Sequence, residues 1–256
     1  MEKSSCLTQG SLSSDHCLGS TPEVPLVLSS DPEPISGSLS PGEPSPLSRD
    51  SGALDQALRQ LHGACEACRR CGLGDSRQQV VVSRGNPGAR LMVIGEGPGA
   101  QEDVSGRPFV GRSGQLLDQM LASVSIDTNR DAYICNVVKC RPPENRKPTP
   151  AEMAACLPWL LEQVELVKPE LILLAGATAV EGVAGGVRGG ITKLRGQWQT
   201  WQGRPCLPIF HPSYLLRNPS RQQGSPKWHT WQDLQEVRRR LDRLAAAPAT
   251  HTPVAP

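Results

Sequence analysis

Between residues 54 and 244 the apolar positions fall alternately into short unbroken runs and into three- and four-residue spacings. The runs Leu91–Gly95, Leu171–Ala175, 133–138 and 207–210 are bounded by turn-forming or polar residues, which predicts strands buried on both faces. The spacings predict helices. Leu54, Ala57, Leu58 and Leu61 place one over residues 54–64, and Leu116, Leu117, Met120, Leu121 and Val124 place another, with Ser113 as its cap. Thr149-Pro150-Ala151-Glu152 is a capping box with proline at the first helical position, so a third helix starts there. Pro158 lies inside it and predicts a kink, because its ring displaces the carbonyl four residues back. Ser225-Pro226 opens a last helix, amphipathic through Trp228, Trp231, Leu234, Val237 and Leu241, and residues 195–206, with two tryptophans and Gly203, read as a hairpin.

Strands alternating with helices give an α/β fold with a central four-stranded, mainly parallel sheet covered on both faces. Ligands in such sheets gather at the carboxyl ends of the strands. That draws attention to the turn after Ile94, to Asn136 and to His211.

The flanks differ from this middle. Residues 1–50 hold thirteen serines and seven prolines with almost no aromatic side chains, too little apolar surface to offset the entropy of ordering, and are expected to be disordered. Residues 245–256 read the same way, leaving 51–244 as the folded domain. The net charge of +2 is unevenly shared: Lys3 and Arg49 face seven acids in residues 1–50, giving −5, so the rest carries +7. A basic domain behind an acidic tail fits a polyanionic partner. No run of eighteen apolar residues is present, so no membrane partner is expected, and the N-terminus lacks a signal-peptide pattern. Nine cysteines, an odd number, fit a reducing compartment better than a disulfide framework, and a cytoplasmic protein is expected.

Cys68 and Cys71 form one pair and Cys140 and Cys156 a second, far along the chain. Thiolates that converge from distant segments usually share a metal or a cluster, and spacing alone permits a four-thiolate zinc site. Cys65, three residues before Cys68, offers an alternative first pair. Cys135 and Cys206 lie in apolar runs and read as packing residues, while Cys6 and Cys17 sit in the tail. Gly95-Glu96-Gly97-Pro98-Gly99 is a strand-to-helix turn that matches neither the dinucleotide fingerprint nor the P-loop. The acids Glu102 and Asp103 and the exposed-looking Phe109 after it suit a pocket for a flat polar ring.

The stretches GEGPGAQEDVSGRPFVGRSGQLLD, NVVKCRPPENRKPTPAE and HPSYLLRNPSRQQGSPK, starting at Gly95, Asn136 and His211, resemble the motifs of the family 4 uracil-DNA glycosylases. The resemblance spans about residues 68–241 and implies a three-layer α/β/α sandwich that excises uracil from single- or double-stranded DNA. It implies that Glu96 and His211 are catalytic, with His211 donating to uracil O2. It further implies that Asn136 reads the base edge, Phe109 stacks on the base, Gly97 lies against it and Glu102 stands near its C5 edge. Cys68, Cys71, Cys140 and Cys156 would hold a structural 4Fe-4S cluster, Cys68 and Cys71 being favoured over Cys65 by the family's Cys-x2-Cys-x-Leu pattern. Leu215 and Leu216, with Arg217, follow His211 in a loop expected to wedge into the duplex, and Arg146, Arg217 and Arg221 are expected to meet phosphates, as are Arg141, Lys147 and Lys227. The expected protein is a nucleoid-associated monomer. Residues 141–148 lack the basic insertion and nucleophilic histidine of the related X group, so hydrolysis with release is expected. The rival class is a non-catalytic nucleic-acid-binding module with a structural four-cysteine metal site.

Overall fold

The structure, a computed structural model, describes residues 27–28, 51–184 and 190–246. Its first half contains β1 (Val27–Leu28), α1 (Ser51–Glu66), α2 (Leu73–Ser76), β2 (Arg84–Gly85), β3 (Leu91–Gly95), α3 (Ala100–Ser105), α4 (Arg112–Ala122) and β4 (Ala132–Asn136). A 3-10 turn, Pro143–Asn145, leads to α5 (Pro150–Val167), β5 (Leu171–Ala175), α6 (Ala177–Ala184) and α7 (Ile191–Leu194). The chain continues through β6 (Gln199–Trp201), β7 (Arg204–Ile209), α8 (Pro212–Arg217) and α9 (Pro226–Ala246).

The four apolar runs became the parallel heart of the sheet, ordered β7-β5-β3-β4. Three short antiparallel strands extend it to seven: β2 beyond β4, and β6 then β1 beyond β7. The expected four-stranded sheet is therefore correct for the parallel core and too small for the whole. Two- and three-residue strands leave no periodic trace in sequence. The hairpin β6–β7 turns through Gln202 and Gly203, both at positive φ (51° and 69°), the twist that matches a tight hairpin.

Alternate residues of each strand serve opposite cores. Met92, Ile94, Cys135, Ile172, Leu174 and Cys206 pack with Met153, Leu160 and Val164 of α5 and Val180 of α6. Leu91, Val93, Ile134, Leu171, Leu173, Leu207 and Ile209 pack with Leu117 and Leu121 of α4 and Leu234, Val237 and Leu241 of α9. Each core side chain removed from water contributes roughly 1.5–3 kcal/mol against leaving it exposed. This is the three-layer α/β/α arrangement.

Helix starts follow local chemistry with one exception. Thr149 Oγ1 accepts from Glu152 N–H while Glu152 accepts from Thr149 N–H, the reciprocal capping box. α4 is capped by Gly111 instead of Ser113, because the Gly111 and Val110 N–H groups are taken by the Glu102 carboxylate. α5 passes through Pro158 as a single element, held by buried residues on both sides of it, Met153 and Cys156 before and Leu160 and Val164 after. α9 reaches Ala246, just past the expected end at 244, and Val27–Leu28 is a strand within the expected disordered tail. The other residues of both tails, Cys6 and Cys17 included, lie outside the described residues.

Candidate active site and cysteine centre

Parallel register places Gly95, the last residue of β3, beside Asn136, the last of β4, and His211 follows β7 two strands away from β3. Asn136 is 2% exposed, and its side-chain Oδ1 has no hydrogen-bond partner. A buried carbonyl oxygen left unpaired costs about 1–3 kcal/mol, so it marks a place where a ligand donor belongs. A Cβ built on Gly95 would lie 2.4 Å from Phe109 Cζ and 2.5 Å from Asn136 Oδ1. Glycine is therefore required at position 95 for space: it lets the Asn136 amide and the Phe109 ring approach each other over bare backbone. The Phe109 and His211 rings stand 6.0 Å apart, tilted by 33°.

Phe109 is buried, contrary to its exposed-looking sequence context, and it adopts a left-handed φ of 54°. Such a conformation is strained for a bulky residue and persists only where neighbours over-determine it. Arg84 supplies that constraint from β2. Its Nε donates to Pro108 O at 2.9 Å and its Nη2 to Phe109 O at 3.3 Å, while Asp118 of α4 takes Nη2 at 2.5 Å. Glu102 constrains the other side: Oε1 accepts from Val110 N at 3.0 Å and Gly111 N at 2.8 Å, and Oε2 from Gly99 N at 3.1 Å. Glu102, expected near the C5 edge of a bound base, is engaged by its own loop. Both its oxygens are spent on backbone amides, and the carboxylate clamps the loop that carries Phe109.

His211 caps α8. Its Nδ1 accepts from Ser213 N–H at 3.1 Å and lies 2.8 Å from Ser213 Oγ, which leaves Nε2 as the protonated nitrogen of the neutral ring. Burial, joined by the nearby positive charge of Arg217, lowers its pKa from 6.5 to about 4. At neutral pH it is an uncharged hydrogen-bond donor. Half-buried Glu96 follows Gly95, and its Oε2 accepts from Thr178 Oγ1 of α6 at 2.6 Å. Gly97 packs on Val138, whose Cγ2 would lie 2.7 Å from any added Cβ.

The loop after His211 departs from expectation. Leu215 is 0% exposed, so it is a core residue and not a wedge. The helical turn of α8 turns Leu215 inward and leaves Tyr214, 38% exposed, and half-buried Leu216 beside it. Arg217 and Arg221 are exposed. Arg146 instead grips Glu152 with both Nη atoms, at 2.8 and 2.6 Å, and holds that carboxylate down at about 2, and Lys147 pairs with Glu181 at 2.5 Å. Both must give up an ion pair before they meet a phosphate.

Cys68, Cys71, Cys140 and Cys156 line one recess, together with Cys65, Arg70, Arg77, Lys139 and Trp159. N–H groups point at three of the sulfurs: Arg77 Nη1 to Cys140 at 3.0 Å, Lys139 N to Cys156 at 3.3 Å and Trp159 Nε1 to Cys68 at 3.4 Å. Among the described residues no three His, Cys, Asp or Glu side chains converge tightly enough to hold a single metal ion. N–H donors aimed at sulfur suit thiols that carry negative charge. Cys65 is the deepest, 1% exposed against Leu61, Val80 and Val82, and burial pushes its thiol up to about 12. Cys135 and Cys206 are fully buried packing residues with thiols pushed up by burial.

Sequence reasoning missed Gly95 as the pocket floor and also Arg84, Thr178, Arg77 and Lys139. Each acts through a partner 40 or more residues away or through main-chain atoms, and no local pattern announces such contacts.

Residues 82–235 match the uracil DNA glycosylase superfamily. The chain is 51% identical over 154 residues to the type-4 uracil-DNA glycosylase of Thermotoga maritima, covering 60% of this chain and 80% of that protein. It is 35% identical over 204 residues to the type-4 enzyme of Sulfurisphaera tokodaii, covering 77% and 88%. A type-5 uracil-DNA glycosylase of Pyrobaculum aerophilum is 35% identical over 153 residues, covering 54% of this chain and 67% of its own.

Proposed function

The chain belongs to the uracil DNA glycosylase superfamily, and from that membership we propose that it is a type-4 uracil-DNA glycosylase that hydrolyses the N-glycosidic bond of uracil in DNA. The observation that carries the reading is the orphaned Asn136 Oδ1, buried beside the Phe109 ring, with the His211 ring 6.0 Å from that of Phe109. Uracil supplies what this site lacks. Its N3–H satisfies Asn136 Oδ1 and its O4 accepts from the Asn136 amide, whereas cytosine presents the reverse pattern at those atoms. Phe109 covers one face of the base once it leaves the stack.

Breaking the bond from N1 to C1′ leaves the electron pair on uracil and positive charge on the sugar. The Nε2–H of His211 donates to uracil O2, where negative charge grows, and as a neutral donor it keeps its proton. Glu96, oriented by Thr178, stabilises the cationic sugar and the water that adds to C1′. Gly97 leaves no carboxylate at that position, so stabilisation of leaving group and sugar supplies most of the rate. Glu102 and Arg84 act from behind by fixing the Phe109 loop.

Cys68, Cys71, Cys140 and Cys156 would hold a 4Fe-4S cluster in this reading, supported by the convergence of the four cysteines on one recess and by the N–H donors aimed at their sulfurs. When bound, that group supplies a cross-link between the segment after α1, the loop after β4, and α5. Exposed Arg217 and Arg221 meet phosphates, and Leu216 with Tyr214 takes the place expected of Leu215 against the duplex. The working unit is one chain, acting on single- or double-stranded DNA in the nucleoid-bearing cytoplasm; among the described residues no helix is long and apolar enough to cross a membrane.

Incubation with uracil-containing single- and double-stranded DNA, followed by alkali, should produce strand breaks at uracil positions. Iron-loaded protein that binds this DNA and yields no breaks would sink the enzymatic reading in favour of a binding module. Anaerobically purified protein should carry iron and sulfide with visible thiolate-to-iron absorbance; zinc in their place would overturn the cofactor assignment.

A further inference from the structure

A buried cation with no anion beside it demands explanation. Lys139 is 1% exposed, and its ammonium donates to Asn136 O at 2.5 Å, a neutral carbonyl. Among the described residues no carboxylate pairs with it. Removing an ammonium from water costs several kcal/mol unless an opposite charge compensates, and one carbonyl does not supply that charge. What surrounds Lys139 is sulfur: it lines the recess with the four cysteines, and its own backbone N–H reaches Cys156 Sγ.

We propose that Lys139 is the counter-charge of the cysteine centre and, by gripping the Asn136 carbonyl, the physical link from that centre to the residue that reads the base. The proposal rests on the cluster reading given above. Four thiolates around an iron–sulfur core carry net negative charge, and three cationic residues line the recess: exposed Arg70, which lies over the Trp159 ring, Arg77, which donates to Cys140 Sγ, and buried Lys139. Arg77 is additionally tied to main-chain oxygens of Glu66 and Cys68, at the rim. Lys139 lies on the other side, toward the active site. Its stem spans the three residues back to Asn136, whose side chain faces the pocket while its carbonyl is held by the ammonium. The negative centre fixes the ammonium, the ammonium fixes the end of β4, and the end of β4 fixes the base-reading amide. Lys139 is a positioning residue in this scheme and touches no substrate.

Two substitutions separate charge from hydrogen bond. Lys139→Gln removes the charge and keeps a donor for the carbonyl, and Lys139→Met removes both while filling the volume. As holoproteins both should release iron to a chelator faster, on the order of 10-fold, the usual effect of losing an outer-shell partner. Both should also show a more negative cluster reduction potential, because a positive charge no longer favours the added electron. KM for uracil-containing DNA should rise more in Lys139→Met than in Lys139→Gln. Wild-type iron retention and potential in either variant would overturn the counter-charge, and equal KM values in the two variants would overturn the link. A wild-type measurement covers variants that fail to accumulate: hydrogen exchange at the amides of residues 137–140 should accelerate when chelator strips the iron, and unchanged protection there would also overturn the link. Iron content and uracil release of the wild type come first, so failure of the cofactor or enzymatic reading shows itself separately.

Discussion

At the scale of single residues the site depends on atoms held in states they would not choose in water. Asn136 keeps an unpaired buried oxygen, and His211 stays neutral through burial. Asn136→Ala should lower kcat/KM on uracil DNA by roughly 10–100-fold, the loss of two hydrogen bonds to the base. His211→Ala should slow the single-turnover step by about 100- to 1000-fold with a smaller effect on DNA binding, as for removal of one donor to a developing oxyanion. The pH behaviour has a defined sign. With a native value near 4 against 6.5 for a free histidine, His211 is protonated first in the unfolded chain, so it costs stability progressively as pH falls from about 6.5 to about 4. The thermal midpoint of the wild type should therefore drop more steeply across that window than that of His211→Gln, and equal slopes would contradict the assignment. Gly95→Ala tests the pocket floor: the added methyl meets Phe109 and Asn136, so uracil release should collapse in a chain that still melts cooperatively.

At the scale of elements, local rules fixed where helices begin and tertiary contacts fixed which faces they show. Thr149→Ala removes a cap to Glu152 and should destabilise the domain by about 1 kcal/mol, read as a lower melting midpoint. Leu215 and Leu216 look alike as a sequence pair, and α8 fully buries only the first of them. Leu215→Ala should cost about 2–5 kcal/mol in stability, whereas Leu216→Ala should leave the melting midpoint nearly unchanged and weaken activity on double-stranded more than on single-stranded DNA. The strand β2 was illegible because two residues cannot display a period, whereas β6 was legible as one arm of the hairpin expected over residues 195–206. Yet β2 carries Arg84, the side chain that holds the Phe109 loop.

At the scale of the molecule, the sheet gathers the active site at the carboxyl ends of β3 and β4 and just past β7, and the cysteine recess lies behind β4, joined to the site by the five residues from Asn136 to Cys140. Cys140→Ser should therefore disturb residues 141–150 and lower stability along with iron content, and retention of a wild-type melting midpoint would argue against a cross-linking role. The +7 charge of residues 51–256 should make binding weaken with added salt, and Arg217→Ala and Arg221→Ala should each flatten that dependence.

Sequence by itself determined the α/β class and the four parallel strands, and it singled out Asn136, His211 and the cysteine pairs as candidates. Those features are written in local periodicity, in capping chemistry and in residue types that few other chemistries use together. Only the tertiary structure decided that Glu102 clamps a loop, that Leu215 packs inward, that Gly95 is the pocket floor, and that Lys139 is buried between sulfur and the Asn136 carbonyl. The physical reason is common to all four. Each depends on which atoms from distant segments share a small volume, and burial, pairing and charge compensation are properties of that volume, not of the chain read in order.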